Sequence, residues 1–143
     1  MKIRAIITVT GKMTGSDGQD EKVELVAEGL VFEKEGKTYI SYDESALTGM
    51  EGTKTLIKLT PGKVEMSRTG SLKTKMIFEE GKQSISYYDT QYGGFTVDIN
   101  TLKARVSTDE KQIDIHILYE MNFNGASNGQ NDVTVNVQKL VDE

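Results

Sequence analysis

From Ile113 to Phe123 every odd position is apolar or aromatic (Ile113, Ile115, Ile117, Tyr119, Met121, Phe123). The positions between and beside them, Gln112, Asp114, His116, Glu120 and Asn122, are polar, with Leu118 the one exception. A two-residue period of this kind predicts a strand with one buried and one wet face, and eleven residues span roughly 35 Å as a strand. Such a strand is stable only beside antiparallel neighbours with matching apolar faces.

The same period recurs along the chain. The first strand is predicted over about Lys2 to Met13, with Ile3, Ala5, Ile7, Val9 and Met13 on one face. The second covers about Glu21 to Glu33. Val23, Leu25, Ala27, Gly29 and Val31 share a face, but Val26, Leu30 and Phe32 lie opposite, so either both faces are partly covered or a bulge near Gly29 switches the register. Further strands are predicted at Lys37 to Asp43, Thr53 to Thr60, Lys63 to Thr69, Leu72 to Glu79 and Gln83 to Thr90. Phe95, Val97 and Ile99 alternate up to an expected turn near Asn100-Thr101, and Leu102, Ala104 and Val106 alternate after it. The last strand is Asp132 to Leu140, aligning Val133, Val135 and Val137. Between the strands lie turn-forming segments: 14–20, Glu33 to Lys37, Pro61-Gly62, Gly70-Ser71, Glu79 to Lys82 and the polar run 124–131, with Glu44 to Gly52 the least regular piece. About ten strands follow one another with hairpin-length loops and no helical crossover, which predicts an antiparallel meander. A sheet of that many strands must curl, split or close, and closure removes vulnerable edges. The expected fold is a closed all-β, antiparallel up-and-down barrel of about eight to ten strands, a single domain over residues 1–143; a two-layer sandwich is the alternative.

Composition narrows the function. With no cysteine, disulfides, thiolate catalysis and cysteine-based zinc sites are excluded. A net charge of -5 argues against bulk affinity for nucleic acid. Two basic residues, Lys2 and Arg4, stand at or near the start of an N-terminal apolar stretch and mimic a signal peptide. Thr8 and Thr10 interrupt the apolar run and no small-residue cleavage site follows, so the segment reads as the first strand and the protein as cytoplasmic.

Three blocks carry a family resemblance: Tyr39-Ile40-Ser41-Tyr42-Asp43-Glu44, then Arg68-Thr69-Gly70 with Phe78 beyond it, then Tyr92-Gly93-Gly94-Phe95. Their order and spacing resemble the YwiB-like bacterial family of unknown function (DUF1934), itself similar to calycins, the lipocalin-like meander barrels. The resemblance implies a barrel with an interior and brings no catalytic set.

No phosphate-binding loop, G-x-S-x-G, H-E-x-x-H or EF-hand pattern occurs, and neither a catalytic residue nor a metal or cofactor is expected. His116 falls on the polar face of the long strand. Gly15, Gly18, Asp17, Asp20 and Glu21 form a short acidic loop without calcium-loop spacing. From Thr53 to Lys75 there are six basic residues against one acid, Glu65. Lys54, Lys58, Lys63, Lys73 and Lys75 fall on the outward register of three consecutive strands, giving either a solvated face or a docking surface for an acidic protein partner. Base-stacking aromatics are missing from it, which argues against nucleic acid.

On the inward register Arg68 follows Val64 and Met66, with Tyr42 and Tyr88 on the same side and Thr55 and Thr74 between. A buried guanidinium needs a partner. One reading is a structural arginine tied to a carboxylate or carbonyls. The other is a pocket for a small acidic or amphiphilic ligand, its anion on Arg68 and its apolar part held by Met66, Met76 and Phe78. The expected function is a non-catalytic small-molecule binder, as monomer or homodimer, and the alternative is a protein-interaction module using the basic face.

Overall fold

The computed structural model of the chain describes residues 2–15, 18–44, 52–123 and 126–140, the side chains of 126–128 excepted. Among these are ten strands: β1 (Lys2–Thr14), β2 (Asp20–Lys34), β3 (Lys37–Asp43), β4 (Thr53–Thr60), β5 (Lys63–Gly70), β6 (Lys73–Phe78), β7 (Gln83–Thr90), β8 (Gly93–Thr108), β9 (Gln112–Phe123) and β10 (Ala126–Lys139). Each strand pairs antiparallel with the next, and β10 pairs with β1 to close the barrel. No helix among the described residues is long and apolar enough to cross a membrane.

The period-2 pattern decides which side chains face inward. On β9, Ile113, Ile115 and Ile117 are each 1% exposed, and Ala5, Ile7, Ile40, Ile57, Val135 and Val137 from other strands are fully buried beside them. The hairpin between β2 and β3 turns through Glu35 and Gly36, both at positive φ (54° and 77°), the backbone of a two-residue turn whose twist matches the flanking strands.

Three local expectations are settled by the registers. β2 runs through Gly29 without a shift on either side, opposite Ala5 of β1 and Tyr42 of β3, so there is no bulge. Of its outward apolar residues, Leu30 and Phe32 are partly covered and Val26 is 60% exposed; Phe32 stacks on Tyr39 with ring centroids 5.1 Å apart, and the Lys2 ammonium sits 5.5 Å from the Phe32 centroid. The turn expected near Asn100-Thr101 does not form. β8 is continuous there and absorbs Leu102 as an extra residue, because Thr101 faces Tyr119 and Lys103 faces Leu118. The bulge moves the inward set from Val97, Ile99 and Thr101 to Ala104. Finally, β10 begins at Ala126, within the run expected to be loop; its polar residues pair with β9 across an irregularity between Ser127 and Gln130. The irregular piece expected at Glu44 to Gly52 lies, from 45 to 51, outside the described residues.

One seam of the barrel differs from the rest. β6 and β7 pair only from Lys73 to Lys75 against Asp89 to Tyr87. Alongside this short ladder, hydroxyls bond to carbonyls: Ser86 donates to the Lys75 oxygen at 2.7 Å and Ser84 to the Ile77 oxygen at 2.9 Å.

Candidate functional site

The inward ends of β1, β3 and β5 and the start of β10 surround a cavity of about 220 Å³ at one end of the barrel. Most of its wall is apolar, including Val9, Leu25, Phe78, Ile117 and Val133. Five polar side chains interrupt that wall from inside: Tyr42, Glu44, Arg68, Tyr119 and Asn131.

Arg68 is the centre of the polar cluster. Its position on β5, in register with Thr55 of β4 and Thr74 of β6, turns it inward after Val64 and Met66. The Glu44 carboxylate, its side chain 2% exposed, lies 3.7 Å from Nε of Arg68, an ionic contact too long for a hydrogen bond. That Nε has no hydrogen-bond partner among the described residues. Nη2 faces Sδ of Met66 at 3.4 Å and Nη1 faces Sδ of Met76 at 3.7 Å. Thioether sulfur is a weak acceptor, so these bonds satisfy the guanidinium poorly. Glu44 is better held: Thr55 donates its hydroxyl to Oε1 at 2.6 Å.

Three tyrosines border the guanidinium. Burial raises the phenol pKa of Tyr42, and the nearby Glu44 charge adds to the effect while Arg68 opposes it. Burial pushes Tyr119 up to about 12, with Tyr88 adding to the shift and Arg68 opposing it. Tyr88 is likewise raised by burial against the pull of Arg68, and its hydroxyl meets Sδ of Met76 at 3.5 Å. All three are therefore neutral hydrogen-bond donors at ordinary pH. A folded pKa above the unfolded value of about 10 means that stability is intact below pH 10 and is lost as pH climbs toward about 12. In an alkaline titration, the 295 nm phenolate absorbance from these tyrosines should appear together with loss of the strand circular dichroism. Their full ionisation in a still-folded barrel would contradict the packing described.

Of the residues expected at the site, Arg68, Tyr42, Met66 and Phe78 line the cavity. Thr55 acts one layer back through Glu44, and Met76 and Tyr88 lie behind the guanidinium. Thr74 is buried, with no hydrogen-bond partner for its hydroxyl among the described residues, and is not one of those that line the cavity. The carboxylate that the structural-arginine reading calls for is present as Glu44, and the cavity that the ligand reading calls for lies beside it. Three participants were not anticipated: Glu44, Tyr119 and Asn131. Tyr119 and Asn131 are paired in register across β9 and β10, at 9% and 5% exposure.

Other candidates lie elsewhere. His116 bonds Asp132 at 2.8 Å on the outer face. In the acidic loop, Asp20 accepts from Thr14 at 2.8 Å and pairs with Lys12 at 3.4 Å, which holds its carboxyl below the ordinary range; Asp17 is outside the described residues. The lysines of β4 to β6 do occupy adjacent strands, but carboxylates interleave them. Lys58 lies 3.7 Å from Glu65, Lys54 is opposite Asp43 and Lys73 is opposite Asp89, while Lys63 closes the β4–β5 turn and Lys75 stands beside Tyr87. The opposite end of the barrel holds a larger recess of about 660 Å³. Its buried walls, Val31 and Ile113, are apolar, and no polar side chain lining it is buried, so it offers little to orient a ligand.

A family model described as a domain of unknown function, DUF1934, matches residues 7–135. The uncharacterized beta-barrel protein YwiB of Bacillus subtilis (strain 168) is 28% identical over 119 residues, covering 83% of this chain and 82% of that protein. The crystal structure of the ywiB protein from Bacillus subtilis superposes with a TM-score of 0.87 at 24% identity, over 98% of this chain and 94% of the other, a likeness of fold.

Proposed function

Because the chain belongs to the DUF1934 family, a domain of unknown function, we propose its role from the interior site alone: a non-catalytic binding protein that takes a small amphiphilic molecule into the barrel. The ligand's oxygen-bearing head lies against Arg68, and its apolar body rests on Met66, Phe78 and the aliphatic wall. One observation carries this reading: a guanidinium facing a mostly apolar cavity whose Nη atoms, among the described residues, hydrogen-bond thioether sulfurs alone. Buried donors left without good acceptors cost free energy, and a ligand oxygen within the cavity would recover it. The volume, about 220 Å³, lies below the common range of ligand pockets and so suits only a small molecule. Two methionines beside the head allow the wall to adapt to its occupant.

Replacing Arg68 alone would leave Glu44 buried without its counter-charge, which destabilises the barrel for reasons unrelated to binding. The test is therefore the double variant Arg68→Met with Glu44→Gln. Protein purified from its own host should show, by native mass spectrometry, a bound small molecule absent from the denatured mass and from the folded double variant. If the wild type carries no such mass and displaces no fluorescent amphiphile in titration, the proposal fails.

A further inference from the structure

The charges around the cavity restrict the kind of head group it accepts. Arg68 and Glu44 are the charged side chains that line it from deep inside, one of each sign and 3.7 Å apart. Lys12 and Glu21 line its exposed mouth, again one of each sign, and Lys12 is further engaged by Asp20. The charges of the described lining residues thus balance. A carboxylate ligand would bring an uncompensated negative charge beside the buried Glu44, whereas an uncharged head would not.

The hydrogen-bonding groups point the same way. Arg68, Tyr119 and Asn131 line the cavity with side chains that can donate, and Glu44 and Asn131 with side chains that can accept. Tyr119 and Asn131 sit opposite each other across two strands, close enough to serve one group. We infer that the interior site selects an uncharged carboxamide-bearing amphiphile over a carboxylate, with the ligand carbonyl on the Arg68 and Tyr119 donors and its N–H on Glu44 or Asn131. This rests on the interior-ligand reading above and narrows it, since the sequence alone pointed to an acidic head.

The experiment is calorimetric titration of the whole protein at pH 8 with octanamide and, separately, sodium octanoate, which share a tail and differ in head charge. The wild type should bind octanamide at least about ten-fold more tightly, the penalty expected for burying an unpaired charge. In Glu44→Gln, where the Arg68 charge is released, octanoate should gain at least about ten-fold and the preference should shrink or invert. Tyr119→Phe, which changes no charge, should weaken octanamide several-fold. Octanoate binding as tightly as octanamide to the wild type would overturn the inference while leaving an interior ligand site in place. Binding of neither would overturn the interior-ligand reading itself. The wild-type comparison decides the matter even if a variant fails to fold.

Discussion

Phe78→Ala should destabilise the barrel by about 3–5 kcal/mol, lowering the melting temperature by roughly 10–15 °C. Phe78 is 1% exposed on β6, opposite Val64 of β5, and its ring lies 4.8 Å from that of Tyr119 at a 51° tilt. Truncation removes the buried ring and its aromatic contact together. Collapse to compensate is limited, because its neighbours Val64 and Tyr119 are held in strands paired on both sides. The vacated volume also joins the existing cavity, which Phe78 lines. The variant should therefore lose stability and gain tolerance for longer tails: in a series of n-alkyl amides the preferred chain length should increase. A loss below about 1 kcal/mol in urea unfolding would mean that Phe78 is not a central packing element.

Gly29→Ala should be the next most damaging change, and it alters only one methyl group. A Cβ at Gly29 would run into the Ser41 carbonyl and the Cδ1 of Ile7, with the Cβ of Tyr42 at 3.2 Å. The backbone cannot step aside, since Gly29 is held opposite Ala5 on one side and Tyr42 on the other. Overpacking of this kind costs about 1–3 kcal/mol, at the upper end where the obstruction is backbone. Gly29→Val should prevent folding. Gly11, also in a strand, is the control: no atom lies within 4 Å of the position its Cβ would take, so Gly11→Ala should be neutral or mildly stabilising. Equal melting temperatures for Gly29→Ala and Gly11→Ala would exclude close approach at Gly29. The absence of a side chain at Gly29 thus makes room for the Ile7 side chain and for the close approach of β3 at Ser41 and Tyr42.

Much of this is legible in the residue pattern alone, for a plain reason. A strand with one buried face leaves its register in the sequence, and the inward set on β9 was read correctly at Ile113, Ile115 and Ile117. Arg68, Tyr42, Met66 and Phe78 were placed inward by the same parity and do line the cavity. What escaped was whatever breaks parity or depends on pairing between strands. The Leu102 bulge reverses the alternation in the middle of β8, which in one dimension looks like a turn. Asn131 is polar within a polar run, so it read as loop, yet the β10 register turns it into the barrel. Glu44 shares the parity of Tyr42, but its relation to Arg68 is set by how β3, β4 and β5 align. The lysines from 54 to 75 were correctly placed on neighbouring strands, whereas the acids opposite them, Asp43 and Asp89, enter from β3 and β7, outside that stretch.

The position of β1 between β2 and β10 has a consequence for how the chain acquires its structure. β1 pairs with the strand that follows it immediately and with the strand made last, through partners such as Ala5 with Lys139 and Ile7 with Val137. Pairing across nearly the whole chain carries a high contact order, and such topologies fold slowly, in milliseconds to seconds. On the ribosome, β1 to β9 emerge as a sheet with two open edges that only β10 can join. Until then the chain depends on chaperones or on speed to avoid pairing with a neighbour. Nascent chains stalled before β10 should therefore be captured by holdase chaperones, and release should coincide with emergence of the last strand.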